Sequence, residues 1–434
     1  MQNYDAAQNK LPVLITLAWV LLTHLSANAW GERGHHIAGY TAAKITNQLL
    51  TKSEVAIFGS FFEIRAFQMG HLNNIPDISW KQAHQKVIHH RNWATHFFDA
   101  EFLVGYASET AVSNSTKKKV PLTSPPKVDE SYKDKIRNLE TDIDKYISLY
   151  HNQPNIFSDP QVPKVHIFNN VGIAPFRVAQ LYNLMVAAFR CSADKKSAAS
   201  VTSPGHPNEM LTSATAGGEF NCAKIQSREE ALYVAIAIGG VMGHFVADLA
   251  QPFHTTIDYD GYAFGQGGIH TYFETEILNQ QDETITSDAM ALLNNKDFRK
   301  SNFEKLNSMP FNPTKIMFHL VADSQGHLKK IYDLDKKYAS ITEGTKISFG
   351  HKRPKEAKGA IRRPADSPRL ANKFRAVLVE RLAVGSLLLS HLWVQAWREA
   401  GSPKLQDISF IAIPYVLDVP FILPDKKWPI ENSN

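Results

Sequence analysis

His244 and Asp248 stand four residues apart in the run from Gly243 to His254. On a helix that spacing places both side chains on one face, with Cβ atoms about 5–6 Å apart, which suits two ligands of one ion. Pro252 must end such a helix, since it has no N–H and clashes with the preceding turn. His254 can then turn back toward the same cavity. Imidazole and carboxylate together suit zinc. His270 and Glu274 repeat the four-residue spacing, 16 residues after His254, and complete a His, His, Glu set.

Two further segments offer ligands. The run Trp93 to Glu101 alternates aromatic and polar residues, which predicts a short buried strand or turn presenting His96. Asp77 lies after Pro76, on an expected turn. At the other end of the chain, Trp30 would become a free α-amine if the residues before it were removed. An amine nitrogen and the same residue's carbonyl oxygen can close a chelate ring on a metal, and His35 could reach the same ion. Taken singly, each segment has a plainer reading, namely a capped helix or a buried histidine with its hydrogen bonds satisfied.

Together, Trp30-Gly31-x-x-Gly34-His35, Thr95-His96-Phe97-Phe98-Asp99-Ala100-Glu101 and His244-x-x-x-Asp248-x-x-Gln251-Pro252-x-His254 resemble a known superfamily. It comprises the zinc-dependent bacterial phospholipases C and the single-strand-specific (type I) nucleases. The motifs follow the family's order over roughly residues 30–275. The resemblance implies a mainly α, single-domain fold and three zinc ions. Asp77, His96, His244 and Asp248 would hold the first, and His254, His270 and Glu274 the second. The Trp30 amine and carbonyl, His35 and the shared Asp248 would hold the third. A zinc-activated water would attack phosphorus, with Asp77 as both ligand and base.

Glu274 and the short gap from His254 look like the phospholipase branch, since the nucleases usually end this motif with Trp-Asp. The expected partner is therefore a phospholipid, met at a membrane surface, and the products diacylglycerol and a phosphorylated head group. The opening at Trp30 and the His96 segment resemble the nuclease branch, whose substrate would be single-stranded DNA or RNA. A secreted zinc-binding or adhesion protein without catalysis is the third reading.

The elements that must position these residues are mostly helical by periodicity: residues 34–50, 53–69, 130–151, 176–191, 228–250, a helix resuming at Ile269, and 375–400. Residues 108–126, 192–221 and the basic stretch 346–363 read as loops. The β-branched, proline-broken tail 408–424 predicts a strand or two. Insertions at 102–165 and 192–225 and an extension at 400–434 lie outside the family motifs.

Residues 1–29 read as an export signal: Lys10, an apolar run over 11–22, and the cleavage site Ser26-Ala27-Asn28-Ala29. The domain would then span 30–434, secreted or periplasmic. No later segment reads as long and apolar enough to span a membrane. The 434 residues, 44% apolar and 21% charged, exclude a disordered polyelectrolyte. A net charge of +5 only weakly favours an anionic partner. Cys191 and Cys222 are the only cysteines, too few for a thiolate zinc site. In an exported chain a disulfide between them would close a loop of about 30 residues and contribute roughly 3–4 kcal/mol.

Overall fold

The computed structural model describes residues 30–83, 86–103, 110–112, 119–121, 134, 171–195, 211–212, 214–215, 219–307, 310–347, 353–405 and 419–424. The expected helix at 130–151, the export signal and most of both insertions lie outside these residues. The α-helices are α1 (Gly31–Ile45), α2 (Lys52–Phe58), α3 (Ala66–Leu72), α4 (Lys86–Trp93), α5 (Ala174–Asp194), α6 (Arg228–Ala250), α7 (Thr284–Asn294), α8 (Lys296–Asn307), α9 (Pro313–Gln325), α10 (Leu328–Leu334) and α11 (Pro368–Glu399). The protein is mainly α, as the periodicity predicts.

The centre of the fold is α6. Its sequence is apolar all round, which requires burial on every side, and every residue from Ala231 to Ala250 is buried. Ser227 caps it by accepting from Glu230 N at 3.2 Å. It stops at Gln251, ahead of Pro252, as expected. Helices α1, α3, α5, α9 and α11 surround it. By length and composition α6 and α11 could each cross a membrane, contrary to the sequence expectation, but the apolar windows are 100% and 94% buried within the protein. They are core helices here.

Two expectations change. The helix expected over 53–69 is broken into α2, a 3-10 turn at Glu63–Arg65 and α3, because Gly59 takes φ 61°, which ends the first piece. His96 lies on a turn, one of the two forms expected, and is buried. Its backbone neighbours pair across the fold: Phe98 N donates to His254 O at 2.9 Å, and Asp99 N to Val171 O at 2.8 Å. The basic stretch is not wholly solvated, since Ile361–Arg362 forms β4 and pairs antiparallel with β3 (Ser340–Thr342). A second small hairpin pairs β1 (Thr110–Val112) antiparallel with β2 (Lys119–Pro121). The described tail residues, 419–424, form no strand, and Phe421 packs its edge on Trp80 at 5.2 Å.

Cys191 and Cys222 are bonded to each other. This ties the end of α5 to the turn before α6 and is consistent with a location outside the cytoplasm.

One ion pair gives a pH-dependent stability. Glu54 closes a capping box on α2, with Thr51 N donating to its carboxylate at 2.8 Å. Arg398, at the end of α11, grips the same carboxylate at 2.7 and 2.9 Å. The Arg398 hydrogen bond holds the Glu54 carboxyl down at about 2. A carboxyl depressed in the fold stabilises fully above its unfolded value near 4.5 and loses that contribution as pH falls toward about 2. Glu54→Gln is expected to cost about 1 kcal/mol at pH 7, discounted for solvent exposure. The gap from wild type in urea denaturation should close by pH 2.

Candidate metal centre

Eight of the sequence-expected side chains converge. Among the described residues three buried groups can hold a metal ion: His35, Asp77 and His244; His96, His244 and Asp248; and His254, His270 and Glu274. His35 comes from the first turns of α1, and Asp77 from a π-helical turn, Pro76–Trp80, that follows α3. His244 and Asp248 come from one face of α6. His254 lies on the 3-10 turn Pro252–Thr255, and His270 and Glu274 on the helical segment that starts at Ile269.

The groups interlock through Asp248. One of its oxygens lies 3.0 Å from His96 Nδ1 and 3.3 Å from His244 Nε2. The other lies 3.4 Å from His35 Nε2 and 3.8 Å from His254 Nδ1. His96 Nδ1 and His244 Nε2 face one another at 2.9 Å. Asp77 Oδ1 lies 3.8 Å from His244 Nε2 and 3.9 Å from His96 Nδ1. In the last group, His270 Nε2 is 3.1 Å from His254 Nε2 and 2.9 Å from Glu274 Oε2, which lies 3.7 Å from His254 Nε2.

These spacings fit a shared ion. Two ligands at 2.0–2.1 Å in a tetrahedral shell lie about 3.3 Å apart. The donor chemistry fits too. His35 Nε2, Asp77 Oδ2, Asp248 Oδ1 and Glu274 Oε1 are buried without a hydrogen-bond partner, a costly arrangement unless something else satisfies them.

Two carbonyls aim the imidazoles. His244 Nδ1 donates to Asn73 O at 2.6 Å, and His254 Nδ1 donates to His96 O at 2.7 Å. Each bond leaves Nε2 to face its cluster, the arrangement that orients metal-binding histidines. Gly243 permits the Asn73 contact, since a Cβ there would sit 2.4 Å from Asn73 Oδ1.

Electrostatics bind the groups further. Burial drives His244 well below its usual value. Burial alone would raise Asp248, but His244, His254 and the other imidazoles outweigh it and hold the carboxyl well down. Burial would lower His254, but Asp248 and Glu274 hold it up at about 9. Burial would raise Glu274, but His270 and His254 bring it to about 2. A metal replaces the imidazolium proton as the compensating positive charge, so binding releases protons.

Trp30 lies beside this set. Its backbone N lies 2.9 Å from Glu274 Oε2, next to the His254 and His270 group. Its carbonyl accepts from Gly34 N at 3.2 Å. The indole is fully buried and donates to Ala247 O at 2.6 Å.

Three contributors were not singled out as site residues from sequence. Asn73 acts through its main chain and leaves no side-chain signal. Lys81 Nζ donates to Asp77 Oδ1 at 3.3 Å, and its four-residue spacing from Asp77 was the available clue. Gln251 Nε2 donates to Glu274 Oε2 at 2.7 Å, and its place before Pro252 was the clue.

Comparison with protein-family models, curated proteins and solved structures returns no match to this chain. Fold and site together define a mainly α-helical protein whose described residues include three buried His/Asp/Glu clusters able to hold metal ions.

Proposed function

We propose that this chain is an exported, zinc-dependent phosphodiesterase, and in the first place a phospholipase C. The reading rests on one observation: three clusters share His244 and Asp248 or lie against them, and several of their buried ligand atoms have no other partner. Zinc ions bound there would supply Lewis acidity, neutralising phosphate charge and acidifying water. Asp77 is the base in this reading. Lys81 engages Oδ1, and the unpartnered Oδ2 accepts the proton of the attacking water. Glu274, His254 and His270 would hold a further ion beside it. The Cys191–Cys222 bond supports export to an oxidising compartment.

Two exposed aromatic residues favour a lipid. Trp93 and Tyr259 are 45% and 48% exposed at positions flanking the clusters. The Tyr259 ring meets the His270 ring at 5.8 Å, and Trp93 packs its ring against Phe97, next to His96, at 6.3 Å. Such amphipathic rings suit a boundary between water and acyl chains. The nuclease reading has its own support. The Arg353 guanidinium lies 5.3 Å over the Tyr262 ring and 3.3 Å from Asp260. A cation and aromatic faces side by side suit a phosphate and a stacked base.

Purified protein should release phosphorylated head group from phosphatidylcholine vesicles. A chelator should abolish the release and added zinc restore it. Cleavage of single-stranded DNA without lipid turnover would transfer the assignment to a nuclease. Zinc uptake with neither activity would leave a metal-binding protein without catalysis.

A further inference from the structure

The loop that carries His270 into the centre is held by a buried ion pair from a part of the chain that no motif covers. Gly261, Gly265 and Gly268 in this loop take φ of 79°, 73° and 87°. Left-handed glycines leave the backbone freer than other residues, and the loop's few internal bonds, such as Gln266 N to Gly261 O at 2.8 Å, fix its shape more than its placement against the cluster.

Arg362 and Asp335 tie it to the protein outside the loop. Asp335 accepts from Arg362 Nε at 2.8 Å, from Arg362 Nη2 at 3.0 Å and from Gln266 Nε2 at 2.7 Å. Arg362 also donates to Gly267 O at 3.0 Å and Gln266 O at 2.5 Å, and its guanidinium lies 5.2 Å over the Tyr272 ring. The two side chains are 7% and 0% exposed. The backbone around β3 and β4 adds bonds to the same loop: Gly344 N to Gly265 O at 2.7 Å and Ala360 N to Gly267 O at 2.9 Å. Three residues after Gly267 comes His270.

A buried ion pair is weak as a source of stability, because desolvating both charges offsets their attraction. A guanidinium fork that meets a carboxylate and two loop carbonyls together is strong as a source of geometry. We propose that Arg362 and Asp335 are positioning residues for the His254, His270 and Glu274 cluster, setting its affinity for metal. This rests on the metal-binding reading above.

The test is zinc affinity of the full chain, measured by chelator competition together with total bound zinc. Asp335→Asn and Arg362→Met should each weaken one class of site about 10–100-fold, the range for outer-shell partners of a metal. The remaining sites should stay at wild-type affinity. Arg362→Lys should not restore the lost site, because an ammonium cannot form the fork. Glu54→Gln is the control, since it lowers stability far from the loop and should leave every zinc affinity unchanged. Should the charge variants fail to fold, Gln266→Ala removes one member of the network without stranding a charge and should weaken the same site. Unchanged affinities, or uniform weakening at every site in step with lost stability, would overturn the proposal. A wild-type chain that takes up no zinc would instead remove the metal reading itself, and this proposal with it.

Discussion

Asp248→Asn is expected to strip the centre of metal and of turnover while leaving the helical fold in place. The substitution keeps size and shape, and residue 248 is wholly buried within α6, so circular dichroism should change little. What disappears is the one negative charge within 3.0–3.8 Å of four imidazoles. Two of the three clusters contain Asp248 or a residue it touches directly, and the third includes His254, which Asp248 helps to hold up at about 9. Zinc affinity should fall by at least about 100-fold, beyond what a single outer-shell partner costs. Activity on phosphatidylcholine should fall to background. A variant that keeps wild-type zinc content and turnover would show that Asp248 does not hold the metal and that the clusters do not depend on its charge.

The second large effect concerns the residue in front of Trp30. Protein that starts at Trp30 should load zinc fully, whereas protein with one extra alanine before it should lose roughly 100-fold in zinc affinity at one site, on the scale of a perturbed metal shell. Trp30 is fully buried with its nitrogen 2.9 Å from Glu274 Oε2. An amide nitrogen there can only donate a hydrogen bond. A terminal amine has a lone pair and can be a ligand. The indole hydrogen bond to Ala247 O fixes the residue in either form, so the extension tests the amine and not the anchoring of the ring. Mass spectrometry must first confirm the starting residue of each preparation. Equal zinc affinity of the two forms would exclude the amine as a ligand.

The ligand types were legible because helical spacing is local. His244 and Asp248 on α6, the stop at Pro252 and the return of His254 all follow from periodicity and from proline's missing N–H. The two long apolar helices were equally plain, although not their status: composition cannot separate a core helix from a membrane span, and burial decides it. His96 could be read only as lying on a strand or a turn, because alternating residues do not show their backbone pairing, and the structure decides for the turn.

By itself, then, the sequence determined which side chains could bind a metal and that helices would carry most of them. Only the tertiary structure decided that residues as far apart as Trp30 and Glu274 meet, that the Asn73 carbonyl aims His244, and that Arg362 and Asp335 support the His270 loop. The physical reason is that a carbonyl's direction and a loop's path depend on packing between distant segments. Neither leaves a mark in the local order of residue types, whereas helical periodicity does.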